Sequence, residues 1–292
     1  MSKYILKITT KTKVLNFFRR ILKLPIFEQF LVLISQNLHT SFVQKLVPPN
    51  YLYKKETFRL VKRNGINFKL DISNVIDHSY YFYLEKPEYH SIILKIQSAQ
   101  VILDIGSNIG NSSLYFASLN SSAKIISFEP HPNSYKKAIE NIKLNNFSNI
   151  EIINIGLGQQ KMTTKLYEVD EYNSGMNRIL PDNFGSPYKL VELDILDDVL
   201  KRKLIDHVDF IKIDVEGYEL SVLSGSIETL KSKPLLFIEI DEQYLKENKS
   251  SPLELIEFLM NAGYSTFYRA DNGEAISSKT NFANCHFDLI AQ

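Results

Sequence analysis

From residue 100 onward the apolar positions fall into a repeating order. Short apolar runs at 101–105, 124–129, 150–155, 208–214 and 235–240 alternate with helical stretches at 110–119, 133–145, 217–231 and 252–262. Such runs predict strands buried on both faces. Strand-then-helix repetition implies right-handed crossovers and a parallel sheet with helices on both sides. The tail, "GYSTFYRADNGEAIS" then "NCHFDLIAQ", predicts two last strands with a turn-rich link. The fold class expected is α/β, with a doubly wound, mostly parallel seven-stranded sheet and an added helical N-terminal region. Between 156 and 200 the rhythm lapses. "EVDEYNSGMNRILPDNFGSPYK" is polar and broken by Gly and Pro, which predicts a long loop over the sheet edge.

Upstream of residue 100 the pattern differs. "KVLNFFRRILKL" (13–24) places Val14, Leu15, Phe17, Phe18, Ile21 and Leu22 mostly on one helical side, away from Lys13, Arg19, Arg20 and Lys23. A second apolar helix is expected at 26–46, ended by "VPPN". "TFRLVKRNGINFKLDI" predicts a hairpin turning at Asn64-Gly65. "KPEYHSIILKIQ" (86–97) predicts a helix with Pro87 in its first turn. The expected organisation is a basic helical extension over 1–56, a hairpin and helix over 57–99, and the main domain over 100–292.

Charge changes this picture. The 292-residue chain has a net charge of +1. Residues 1–63 hold 13 Lys and Arg against Glu28 and Glu56, a net of +11, so the remainder carries −10. The basic front lacks a small-residue cleavage site and an apolar run of membrane-spanning length, so a cytoplasmic chain is expected, peripheral to the membrane if residues 1–50 meet an anionic surface. The single cysteine, Cys285, excludes an intramolecular disulfide and a cysteine-based zinc site.

The candidate chemistry begins at "VILDIGSNIG" (101–110), a strand running into a turn that opens a helix. In such sheets ligands sit beyond the carboxyl ends of the strands. Gly106 and Gly110 would let the backbone meet a ligand closely. Asp104 would oppose a pyrophosphate and favour a cationic ligand, and the spacing D-x-G-x-x-x-G lacks the middle glycine of a nicotinamide site. Glu129, ending the next strand in "KIISFEPHP", supplies an acceptor for two ribose hydroxyls. S-adenosylmethionine combines a sulfonium, an ammonium and a ribose.

The stretch from about 80 to 240 resembles the FkbM family of S-adenosylmethionine-dependent methyltransferases. The likeness rests on "VILDIGSNIGNSSLYFA", "IISFEPHPNSYKKAIENIKLNN", "NIEIINIGLGQ" and, above all, "VDFIKIDVEGYELSVLSGSIETLKSKPLLFIEI" with its core at 211–219. "NSGMNRI" (173–179) resembles a family feature near the acceptor. The resemblance implies a class I Rossmann-like methyltransferase fold. It implies that Asp104, Gly106, Ser107, Asn108 and Gly110 hold the methionine part of the cofactor. Glu129 would bind the ribose with Pro130 shaping the turn, Asn154 to Gly156 would border the adenine, and Glu88 would close the site. Asp214 and Glu216 would face the transferred methyl, Asp214 as base or as cap of the helix opening at Gly217. The acceptor implied is a hydroxyl on a saccharide of a glycan or glycolipid, or on a polyketide or other secondary metabolite.

Other residues stay open. His131 could border the adenine or be a solvated loop histidine, and His78 could serve as a base or lie on the surface. Tyr80, Tyr81, Tyr83 and Tyr89 could stack on sugars, although such density more often marks a core. Glu239 and Asp241 could join Asp214 around a divalent cation, but hydrogen bonding is the plainer reading and no metal is assigned. A nicotinamide oxidoreductase and a non-catalytic binding module are the rival classes. Nucleic-acid binding is not expected, since no basic–aromatic stripe crosses the main domain.

Overall fold

A computed structural model describes residues 9–37, 41–84, 89–181 and 185–292. It divides into two compact units, one of residues 1–87 with 169–175 and one of 88–168 with 176–292. The boundary thus runs through the 57–99 segment: the hairpin belongs to the first unit and the helix after it to the second.

The first unit contains α1 (Thr10–Leu22), α2 (Pro25–Asn37), α3 (Ser41–Leu46), β1 (Phe58–Arg63), β2 (Ile66–Asp71) and α4 (Val75–Tyr81). Thr9 caps α1 by accepting from Thr12 N–H. Described residues of the 26–46 segment form α2 and α3, with 38–40 outside the description. The hairpin pairs antiparallel with Arg63 opposite Ile66, through Asn64 and Gly65 at φ +48° and +86°. Alternation along β2 buries Ile66, Phe68 and Leu70. His78 is buried, neither a base in a cleft nor on the surface. Its Nε2 bonds the Pro48 carbonyl at 2.7 Å, and burial pulls its pKa down to about 4.

The second unit opens with α5 (Ile93–Ser98), starting later than the sequence predicts; residues 85–88, with Glu88, lie outside the described residues. The elements then run β3 (Val101–Ile105), α6 (Asn111–Leu119), β4 (Lys124–Phe128), α7 (Pro132–Lys143) and β5 (Ile150–Ile153). After an excursion come α8 (Leu196–Arg202), β10 (Phe210–Ile213), α9 (Glu219–Ser224), α10 (Ile227–Leu230), β11 (Leu235–Asp241), α11 (Glu242–Glu247), α12 (Pro252–Asn261), β12 (Phe267–Arg269) and β13 (His286–Ala291). The seven strands lie in the order β12-β13-β11-β10-β3-β4-β5, parallel except for β13, which runs antiparallel to both neighbours. This is the doubly wound α/β sheet expected. Chain order reverses between β3 and β10, and ligands of such sheets bind at that crevice.

The excursion refines one expectation. Around and within the polar 168–187 stretch, 156–194 contains β6 (Gly156–Leu157), β7 (Met162–Tyr167), β8 (Arg178–Ile179) and β9 (Tyr188–Asp194), a second sheet ordered β6-β9-β7-β8. The helix expected at 217–231 is also interrupted. α9 ends at Ser224 and α10 begins at Ile227, and at Gly225 between them a Cβ would stand 2.1 Å from the Gly158 carbonyl oxygen.

Candidate active site

β3 carries Ile102, Leu103 and Ile105 into the core, and Asp104 goes with them, fully buried. Its Oδ2 accepts from the hydroxyls of Ser112 (2.8 Å) and Ser113, and Ser113 also bonds the Ser127 hydroxyl at 2.7 Å. Lys212 Nζ stands 3.7 Å from Oδ1. Strand register explains the grouping: Asp104 pairs with Lys212 of β10 on one side and Ser127 of β4 on the other, so all three side chains share a face. The cation that meets Asp104 is a lysine of the chain itself.

The turn after β3 is held by Gly106 and Ser107 N–H groups, both donating to the Phe128 carbonyl at 3.0 and 3.1 Å. Gly106 has φ +83°, and a Cβ there would stand 1.8 Å from the Asp214 carbonyl oxygen. The close neighbour that removes this side chain is therefore the end of β10, not a ligand. Gly110, at φ +85°, precedes α6, with the Ala138 side chain 3.4 Å from where its Cβ would be.

Glu129 follows β4 and faces this turn. Its Oε2 accepts the Asn108 N–H and its Oε1 the His131 N–H, each at 2.8 Å. Burial raises its pKa to about 7 against the pull of those two N–H groups. Asn154 donates its amide to the carbonyls of Glu129 (2.8 Å) and Pro130 (3.1 Å). A Cβ on Gly156 would meet Leu193 at 2.5 Å and Pro130 at 3.4 Å. Asn108, Glu129, Pro130, Asn154 and Gly156 are thus brought together, but Asn154 is occupied in holding the turn. His131 is not a solvated histidine: it is buried, with Nε2 2.9 Å from Glu168, and burial lowers its pKa.

One stretch of eight residues leaves four buried side-chain oxygens without a hydrogen-bond partner: Asp104 Oδ1, Ser107 Oγ, Asn108 Oδ1 and Asn111 Oδ1. Buried polar atoms are normally paired. A ligand bearing ammonium and hydroxyl groups satisfies such acceptors, and S-adenosylmethionine carries both. The residues present fit it.

Across the crevice, Asp214 leaves β10 on the same face as Lys212, whose Nζ is 3.0 Å from Asp214 Oδ2. Burial pulls Lys212 down, but Asp214, Tyr89 and Asp104 outweigh it and hold the ammonium well above its usual range. Asp214 does not cap α9. Glu219 Oε1 takes the Val215 and Gly217 N–H groups instead, at 3.2 and 3.0 Å. The Asp214 side chain is 38% exposed, against none for Asp104.

Glu216 sits in the left-handed region at φ +55°. Burial, then the Asp214 charge, raises its pKa to about 9, with the Arg178 guanidinium working the other way. Burial and Asp214 also push Glu239 well above the carboxylate range. Carboxylate oxygens of Asp214, Glu216 and Glu239 lie within 4.8 Å of one another. Asp241, which the sequence places with them, caps α11 through Tyr244 N–H (3.0 Å) and meets His286 Nδ1 (3.1 Å).

Lys212, Glu219 and Arg178 were not singled out by sequence. Lys212 carries a readable signal, a lysine inside a four-residue apolar strand, where lysines are almost never buried unpaired. Arg178 carries only its place in the "NSGMNRI" stretch (173–179). It is buried on β8, stacked 3.9 Å over the Tyr244 ring centroid, with Nη2 3.3 Å from Glu247. The 173–179 stretch divides, with 173–175 in the first unit and 176–179 in the second.

Residues 104–266, more than half of the chain, match the methyltransferase FkbM domain. The chain belongs to that family. The methyl donor of this FkbM domain is S-adenosylmethionine. Methyltransferase sdnD of Sordaria araneosa is 32% identical over 163 residues, covering 46% of this chain and 62% of that protein. The 2-O-methyltransferase NoeI of Sinorhizobium fredii is 25% identical over 173 residues, covering 54% and 70%. The chain thus spans a little under two thirds of sdnD. Among solved structures, M. jannaschii TYW2 in complex with AdoMet aligns with a TM-score of 0.43 at 18% identity, over 82% of this chain and 86% of that one.

Proposed function

We propose that the protein is an O-methyltransferase that methylates a hydroxyl on a saccharide of a glycan or glycolipid intermediate, with Asp214 as general base. The observation that carries this reading is the state of Asp214: partly exposed, released from helix capping, and paired with a lysine that stays charged. When bound, S-adenosylmethionine supplies an electrophilic methyl carbon on its sulfonium. Glu129 would hold the ribose hydroxyls, and the turn at Gly106 to Gly110 the methionine end.

A sugar hydroxyl is a weak nucleophile until a positioned base accepts its proton. Asp214 would take that proton as the hydroxyl oxygen displaces the sulfur from the methyl carbon as a neutral thioether. Glu216, with its pKa near 9, is protonated at neutral pH and orients the acceptor by donating a hydrogen bond. The family resemblance favours saccharides, and NoeI is by name a 2-O-methyltransferase. The test is transfer of labelled methyl from S-adenosylmethionine into fractionated glycolipid of the source cells. Label in an ether-linked methyl of a sugar is expected. Label confined to nitrogen, to carbon or to non-saccharide metabolites refutes the acceptor, and binding of NADH instead of S-adenosylmethionine refutes the class.

A further inference from the structure

The first two helices are turned the wrong way for a water-soluble fold. In α1 the buried residue is Asn16, while Val14, Phe17, Phe18 and Ile21 are exposed, Phe17 by 65%. Those four positions are spaced i, i+3, i+4, i+7, one continuous helical stripe. In α2 the buried residues are Glu28, Leu31 and Ser35, while Ile26, Phe27, Phe30 and Leu33 are exposed, Ile26 by 80%.

Polar groups anchor these helices within their own unit. Asn16 donates to the Tyr51 hydroxyl at 3.1 Å, and Arg19 Nε to the Lys45 carbonyl at 2.9 Å. Lys23 donates to the Leu52 carbonyl. Glu28 accepts from Arg59 Nε at 2.7 Å and from the Tyr81 hydroxyl at 3.0 Å. Anchoring by polar contacts leaves an apolar face of eight large side chains outward, and an exposed patch of this kind marks an interaction site.

We propose that this face of α1 and α2 docks the protein on an anionic phospholipid bilayer. Charge selects this occupant. Residues 1–63 carry a net +11, and Lys13 and Arg20 are exposed on the helix bearing the apolar stripe. Phenylalanines entering the acyl boundary with basic residues at the headgroups is the composition of an interfacial helix. At 13 residues each, α1 and α2 reach about 20 Å, too short to span a bilayer and suited to lying on it.

The proposal is independent of the acceptor and of the base. It is tested by flotation of the full-length protein with vesicles of phosphatidylcholine alone or mixed with phosphatidylglycerol. The triple variant Phe17→Gln, Phe18→Gln, Phe30→Gln changes only exposed side chains, and a helical circular-dichroism signal and melting profile equal to wild type check that it folds. Wild type should float with the mixed vesicles and not with phosphatidylcholine alone. The triple variant should bind at least tenfold more weakly, and Arg20→Ser about fivefold, the effect of one basic residue at such a surface. Absence of flotation, or equal flotation of wild type and triple variant, overturns the proposal. So does a wild-type dimer in the ultracentrifuge that the triple variant turns to monomer without any vesicle binding, since the face would then meet a second copy.

Discussion

Asp104 lies one residue before the end of β3 and Asp214 one residue past the end of its neighbour β10, and both meet the same lysine beside the crevice. Their fates differ. Asp104 is sealed under two serine hydroxyls and has no exposed surface, whereas Asp214 keeps one polar partner and more than a third of its side chain open. The first is held inside the fold with its Oδ1 left without a hydrogen bond, and the second keeps an open side to the crevice. Two acids on one face of neighbouring strands, two positions apart in register, are separated by what the following helix does. α6 sends Ser112 and Ser113 back to cover Asp104, while the first residue of α9, Glu219, takes the N–H groups of Val215 and Gly217 in the turn and leaves Asp214 with Lys212.

The largest way to break this contrast is to remove the shared cation. Lys212→Met leaves a fully buried carboxylate uncompensated and should cost about 3–5 kcal/mol, read by denaturant unfolding. Rescue by the double variant Lys212→Met, Asp104→Asn would place the cost on Asp104, whereas rescue by Asp214→Asn would invert the comparison. Gly106→Ala comes next. Left-handed φ and overlap with the Asp214 carbonyl should together destabilise by about 2–4 kcal/mol. A variant at this position that melts like wild type would show that the two turns are not in contact.

Asp214→Asn should leave cofactor affinity unchanged and slow methyl transfer by about 10²-fold, measured with labelled donor. Near-normal turnover would move the base to Glu216 or Glu239. A smaller effect sits at Glu129. In its proposed role toward the ribose its carboxyl, near pKa 7, would accept both hydroxyls only when ionised, so affinity for S-adenosylmethionine should rise up to about tenfold from about pH 6 to about pH 8. Calorimetry should find that slope absent in Glu129→Gln. The smallest effect is on stability. Glu129, Glu216 and Glu219 hold protons in the fold that the unfolded chain releases, so their contribution is full below the ordinary carboxylate pKa and is lost as pH rises through about 7 and about 9. Above about pH 6.5 the buried histidines no longer oppose this. Melting temperature should fall from about pH 7 to about pH 9, and fall less in Glu216→Gln.

The seven-stranded sheet was legible because parallel strands buried on both faces read as apolar runs, and the two tail strands because turn residues bound them. Glu129 was legible from its place at a strand end. The second sheet was not. β9 buries Val191, Leu193 and Asp194 and leaves four residues exposed, too weak a pattern to stand out beside Gly and Pro. Lys212 against Asp104 escaped because the partners are joined only by register across the sheet. The inward Asn16 and Glu28 escaped because a helical stripe says which residues lie together but not which side faces water.

The Gly106 contact bears on how this chain can drift. A side chain at 106 is refused by the Asp214 main chain whether or not any methyl donor ever enters. A descendant that abandoned catalysis would still be under pressure to keep that glycine, because its loss would harm folding before it harmed chemistry. Glu129 is less protected: its carboxylate serves two backbone N–H groups, and Gln or Asp at this place offers them an oxygen as well. In a lineage losing its activity, the acid would decay first and the glycine would persist as a relic.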